Sequence, residues 1–154
     1  MREDLEREVL RLSMSTVFAD AVREWNIYYL CSDPGSSCAC GHTPITEVFG
    51  LLNKFNDNTL EVGNVCVQLF GYPSMKYLFS ELSSIAILTK APKYTTIKLL
   101  LDNGLLKISE FDFLNSISGK RKLTTKQSKY LRDILNIVRI RMKGKNKLNY
   151  VVTR

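Results

Sequence analysis

The stretch Cys38-Ala39-Cys40-Gly41-His42, followed downstream by Val62-Gly63-Asn64-Val65-Cys66, decides how this chain is read. A structural zinc site needs four ligands in a tetrahedron, usually thiolates and imidazoles. Cys38 and Cys40, one residue apart, suit a sharp knuckle, and Gly41 supplies the backbone freedom for its bend. His42, the single histidine of the chain, is placed to turn back to the same ion. Cys66 brings a third thiolate from a second element, at the start of a short helix. The spacing therefore makes Cys38, Cys40, His42 and Cys66 the candidate ligands of one structural Zn2+, the metal that thiolate-rich tetrahedral sites select. Cys31, at the end of the preceding apolar run, is the rival of His42 for the fourth position.

The segments around the knuckle set the fold class. Trp25-Asn26-Ile27-Tyr28-Tyr29-Leu30-Cys31 is aromatic and β-branched, the pattern of a strand, and Asp33 to Ser37 has loop composition. Ile45 to Phe55 and Thr59 to Val62 form the arms of a β-hairpin about Asn56-Asp57-Asn58, residues that tolerate the left-handed conformations of tight turns. Asn64 is positioned to cap a short helix from Val65 that Gly71 ends. Upstream, residues 3–24 carry apolar residues at helical spacing. Downstream, helices are expected from Ser74, from Thr95 to Asp102, from Ser109 to Ile117, and from Thr124 to about Lys143. Thr124 and Gln127 form a capping box for the last of these. The expected architecture is α+β: an N-terminal helix and a small treble-clef-like zinc module (strand, knuckle, β-hairpin, short helix) over 1–73, a helical extension over 74–143, and a basic tail over 144–154.

Composition bounds the class. The chain has 154 residues, 45% hydrophobic and 24% charged, enough for one core and unlike a disordered or coiled-coil chain. No apolar run reaches the roughly 20 residues that span a bilayer. The opening residues lack the apolar region of a secretory signal, which points to an intracellular, reducing compartment where clustered cysteines bind metal more often than they pair.

The net charge of +7 is unevenly spread. Residues 1–117 hold ten basic and fourteen acidic residues, a net −4, whereas residues 118–154 hold twelve basic residues and one acid, Asp133, a net +11. Such a basic end suits an acidic partner, most often nucleic acid. On a helical projection Lys129, Arg132, Asn136, Arg139 and Lys143 share one face, opposite Leu131, Ile134, Leu135, Val138 and Met142. With Lys120, Arg121, Lys122 and Lys126 these cations form the expected phosphate-contacting surface. Tyr28, Tyr29, Phe49 and Phe55 are either core residues or a stacking platform for bases.

From Trp25 to Phe70 the chain resembles a small zinc-type domain of bacteriophage and large-DNA-virus proteins. That domain has an aromatic strand, C-x-C-[GS]-H, an apolar hairpin containing Asn, then V-G-x-x-C and a Phe. Its counterparts here are Cys38 to His42, Ile45, Asn53, Val62 to Cys66 and Phe70. Ser109 to Ile134 resembles the segment that often follows, through Glu110-Phe111-Asp112-Phe113-Leu114 and Lys122-Leu123-Thr124-Thr125-Lys126-Gln127. The resemblance implies a viral origin, a role near nucleic acid, and Cys38, Cys40, His42 and Cys66 as ligands.

The chain carries neither a phosphate-binding loop nor a nucleophile elbow, and its one histidine is taken up by the proposed metal. The expectation is a non-enzymatic zinc-binding protein that binds DNA or RNA through its C-terminal helix, with no membrane partner and no small-molecule substrate. The alternative is a viral inhibitor or adaptor that binds a host protein.

Overall fold

The computed structural model describes residues 2–145 and 147–150. They divide into two compact units, one from residues 2–76 with 147–150 and one from residues 77–145. Among the described residues no helix is long and apolar enough to cross a membrane. The fold is α+β, with an antiparallel sheet in the first unit and helices in the second.

The first unit begins with α1 (Arg2–Leu12), whose Leu5 and Val9, four residues apart, are fully buried. The expected single helix over 3–24 is broken. After Leu12 the chain bends and resumes as a short α2 (Phe18–Ala21) and a 3-10 turn (Val22–Glu24). The cause is a long-range contact. The Glu24 carboxylate, only 5% exposed, accepts the N–H groups of Met14 at 2.8 Å and Ser15 at 2.7 Å. Trp25 Nε1 donates to Ser13 Oγ at 2.8 Å. These bonds satisfy the bend's backbone in place of helix continuation.

The sheet has the order β3-β2-β1-β4, with β1 (Trp25–Ser36), β2 (Ile45–Asn53), β3 (Thr59–Val62) and β4 (Leu148–Asn149), all antiparallel. The hairpin joins β2 to β3 through the anticipated Asn-Asp-Asn turn, and Asp57 adopts a positive φ of 60°. The turn also serves α1: the side-chain amides of Asn56 and Asn58 both donate to the Leu12 carbonyl at 2.9 Å, capping the helix end. Strand β1 runs beyond Cys31, through the stretch expected as loop, until Ser36 pairs with Ile45. Residues 148–149 of the expected basic tail return to the sheet and pair with Tyr29 and Leu30. Asn146 and residues 151–154 of that tail lie outside the described residues.

The anticipated helix after the hairpin is a five-residue 3-10 turn, Cys66–Phe70, ended by Gly71 at φ 82°, and Asn64 makes no cap there. Trp25, Leu30, Phe49, Leu51, Val62 and Phe70 form the core of this unit.

The second unit contains α3 (Lys76–Ser83), a 3-10 turn at Ile85–Ile87, α4 (Tyr94–Asp102), α5 (Ile108–Ile117) and α6 (Thr125–Met142). The capping box at Thr124 forms as its spacing indicates: Gln127 N–H donates to Thr124 Oγ1 at 3.1 Å, and Thr124 N–H to Gln127 Oε1 at 3.0 Å. Helix α5 starts one residue before Ser109. Its first turn is closed by Glu110, whose carboxylate accepts the Lys107 N–H at 2.8 Å. Arg141, on α6, binds that same carboxylate at 2.8 Å and the Leu105 carbonyl at 3.0 Å. Burial pushes the Glu110 carboxyl up, but the bonds from Arg141 and Lys107 outweigh it and hold it below the usual range.

Candidate metal centre

The knuckle is built by backbone bonds. Cys38 N–H donates to the His42 carbonyl at 2.9 Å, Gly41 N–H to the Cys38 carbonyl at 2.8 Å, and Ala39 N–H to the Glu61 carbonyl at 2.9 Å. The first two close the loop on itself, and the third fastens it to β3. Gly41 sits at φ 86°, a conformation that residues with a Cβ rarely adopt. Past the end of β3, Gly63 N–H donates to Cys38 Sγ at 3.3 Å, and the Gly63 carbonyl starts the turn that carries Cys66. Knuckle and hairpin thus meet at one end of the sheet.

There the sulfurs of Cys38, Cys40 and Cys66 all lie within 4.8 Å of one another. Cys38 and Cys40 are buried and Cys66 is half-buried, and all three are free thiols. Three sulfurs at this spacing can hold one metal ion, since two ligands at about 2.3 Å from a shared centre stand no more than about 4.6 Å apart. Burial pushes the Cys38 thiol up, and pushes Cys66 up further with the charge of Cys38 beside it. Burial acts on Cys40 too, but the His42 N–H and the neighbouring thiols of Cys38 and Cys66 outweigh it and hold it below the usual thiol range.

Of the four residues singled out by spacing, the structure brings three together. His42 is exposed and is not among the donors that share the 4.8 Å radius. The turn at Gly41 directs the His42 carbonyl inward to Cys38, so the residue takes part through its backbone. Cys31 is not in the cluster either; it is a half-buried strand residue opposite Val48.

A cavity of about 720 Å³ adjoins the cluster. The three cysteines line it, together with apolar Leu5, Ile45 and Leu69 and polar Arg2, His42, Glu47 and Asn64. The Asn64 amide donates to the Glu47 carboxylate. Its Oδ1 is the buried side-chain oxygen that, among the described residues, has no hydrogen-bond partner. Motif spacing pointed to neither Glu47 nor Asn64 as a site residue. The Val-Gly-Asn-Val-Cys run placed Asn64 near Cys66, but only the β2–β3 pairing brings Glu47 to it.

The basic end forms a separate surface on α6. Leu131, Ile134, Leu135 and Val138 are buried, which leaves the opposite side to solvent. Lys120, Arg121, Lys122, Lys126, Lys129, Arg132, Arg139 and Lys143 are all exposed. Among the described residues, the basic side chain of this end that forms an ion pair is Arg141, with Glu110. The four aromatics do not make one platform: Phe49 and Tyr29 are core, whereas Phe55 is 68% exposed on the hairpin turn and Tyr28 is 37% exposed.

Comparison with protein-family models, with curated proteins and with solved structures finds no match to this chain.

Proposed function

We propose that this is a non-enzymatic zinc-binding protein of viral type that engages nucleic acid through the exposed face of α6. The observation that carries the reading is the row of unpaired cations on that face. Helix α6 is 18 residues long, about 27 Å at 1.5 Å per residue. That length spans several phosphates of one nucleic-acid strand. Lys129, Arg132, Arg139 and Lys143 recur along it and, among the described residues, form no ion pair, and Lys120, Arg121, Lys122 and Lys126 extend the row at its start. Contacts of this kind are made to phosphates, so they favour any duplex or single strand and depend steeply on salt.

Zinc is the ion we assign to Cys38, Cys40 and Cys66, because soft thiolates select it. In this reading the ion has a structural role: it fastens the knuckle to the hairpin end in a treble-clef-like order of parts. Elemental analysis of protein purified without added zinc tests this. About one equivalent per chain is expected, and less than about half an equivalent contradicts a folding-coupled site.

A gel shift with single- and double-stranded DNA and RNA at low and moderate salt tests the rest. Binding that weakens with salt, and again when Lys129, Arg132 and Arg139 are neutralised, is the expected result. No binding at low salt to any of the four probes refutes it. A protein partner is the second reading, favoured by Ile140, which stands 59% exposed beside Arg139 on the cationic face. Apolar anchors among arginines suit an acidic protein surface, and capture of a host protein without nucleic acid would support it.

A further inference from the structure

The cluster supplies three sulfurs, and among the described residues no fourth side-chain donor shares their 4.8 Å radius. A tetrahedral ion held by three protein ligands would keep one position for an exchangeable ligand while still fastening the knuckle to the hairpin end. The three cysteines line the 720 Å³ cavity, so that position faces it. The volume lies within the roughly 300–1,000 Å³ typical of small-molecule sites.

We propose that the fourth position takes a small aminothiol from this cavity, bound through its sulfur. The inference rests on the metal reading above and goes beyond it, since that reading requires no exchangeable ligand. Three features select the class. A divalent ion with three thiolates carries a net charge of −1 and prefers a soft fourth donor, which a thiolate supplies. The lining carries one cation, Arg2, and one carboxylate, Glu47, so a further anion is accommodated best when it brings its own countercharge to Glu47, and an ammonium a few bonds from the sulfur does so. The polar lining matches that ammonium through the Glu47 carboxylate, which the Asn64 side-chain amide holds in place on the cavity wall. On binding, the ligand's S–H proton would go to solvent as its sulfur took the fourth position in place of a water.

The test uses the full chain loaded anaerobically with Co2+, whose thiolate charge-transfer bands report the number of sulfurs bound. Cysteamine is the probe and its S-methyl ether the control. Titration with cysteamine is expected to raise the near-ultraviolet charge-transfer intensity saturably by about a third, as three thiolates become four. The same rise is expected in His42→Ala, none is expected with the S-methyl ether, and Glu47→Gln should need about tenfold more cysteamine. No change in the wild type overturns the proposal. A response in His42→Ala alone does so too, because His42 then closes the site. Loss of the bands with cobalt in the filtrate also overturns it, since the thiol is then a competing chelator. Unchanged affinity in Glu47→Gln overturns the aminothiol assignment. If no thiolate bands form at all, the metal reading itself fails, and that result is distinct from the others.

Discussion

Replacing Gly50 with Ala should cost the fold at least about 2.5 kcal/mol, and the reason is a single ring. Gly50 lies in β2 directly opposite Tyr29 of β1. A Cβ built at position 50 would stand 2.0 Å from Tyr29 Cε1, whereas ordinary contact begins near 3.4 Å. The ring cannot easily retreat. It is 4% exposed, its hydroxyl donates to the Glu61 carboxylate, Lys147 Nζ lies 4.3 Å from its centroid, and Tyr28 packs edge-on at 4.7 Å. Overpacking of this kind costs about 1–3 kcal/mol, and breaking a hydrogen bond to a charged acceptor costs about 1.5–3 more when the ring is pushed off Glu61. Urea unfolding followed by the fluorescence of Trp25, the one tryptophan and a β1 neighbour, measures the loss. Tyr29→Phe separates the hydroxyl term. In a Tyr29→Val background the Gly50→Ala step should cost less than about 1 kcal/mol, because the clash is gone. A Gly50→Ala protein within about 0.5 kcal/mol of wild type refutes the reasoning, as does an equal cost in both backgrounds.

Three further outcomes follow from the same contacts. Glu24→Gln should lose about 2–3 kcal/mol at neutral pH, because the carboxylate accepts two backbone N–H groups and the Asn53 amide at 2.7 Å. Burial pushes the Glu24 carboxyl up, but these donors and Lys54 outweigh it, so its folded value lies below the ordinary 4.5. Its contribution is therefore full above that ordinary value and fades as pH falls through the lower folded one, so the gap between wild type and Glu24→Gln should narrow in urea titrations run below pH 4.5. A gap constant with pH assigns the loss to shape, not charge. Cys38→Ser and Cys66→Ser should each abolish stoichiometric zinc, and chelation of the wild type should lower its melting temperature by at least about 5 °C; a midpoint unchanged by chelator contradicts a metal that fastens knuckle to hairpin. The triple change Lys129→Gln, Arg132→Gln and Arg139→Gln should flatten the dependence of log affinity on log salt by roughly two to three units for DNA, and an unaltered slope in filter binding would move the contact surface off α6.

What was legible in the sequence was whatever depends on neighbours along the chain. The capping box at Thr124, the turn at Asp57, the stop at Gly71 and the buried row Leu131, Ile134, Leu135 and Val138 are each local, and each stands where its pattern puts it. The misses are long-range. Residues 3–24 have a helix's spacing throughout, but the Glu24 carboxylate offers the N–H groups of Met14 and Ser15 a better partner than a preceding carbonyl, and a pattern of periods cannot see it. Pro34 lacks an N–H and so disfavours a regular strand, but it falls in the irregularity between Ser32 and Ser36, where β1 and β2 have no paired residues, so the ladder to β2 asks it for none.

The metal site divides along the same line. Cys38 and Cys40 meet because a knuckle is local, and Cys66 meets them because the hairpin register and the Gly63 contacts to Cys38 and Val67 carry it there. His42 is nearer in sequence than Cys66 and farther in chemistry, since one left-handed glycine spends its carbonyl on Cys38 and leaves the ring exposed. Adjacency in sequence alone therefore does not bring His42 into the group of three sulfurs. Cys38 and His42 close the same turn with their backbones, Cys38 N–H donating to the His42 carbonyl, yet the Cys38 side chain reaches the hairpin end, where Gly63 N–H donates to its Sγ, whereas His42 stays exposed.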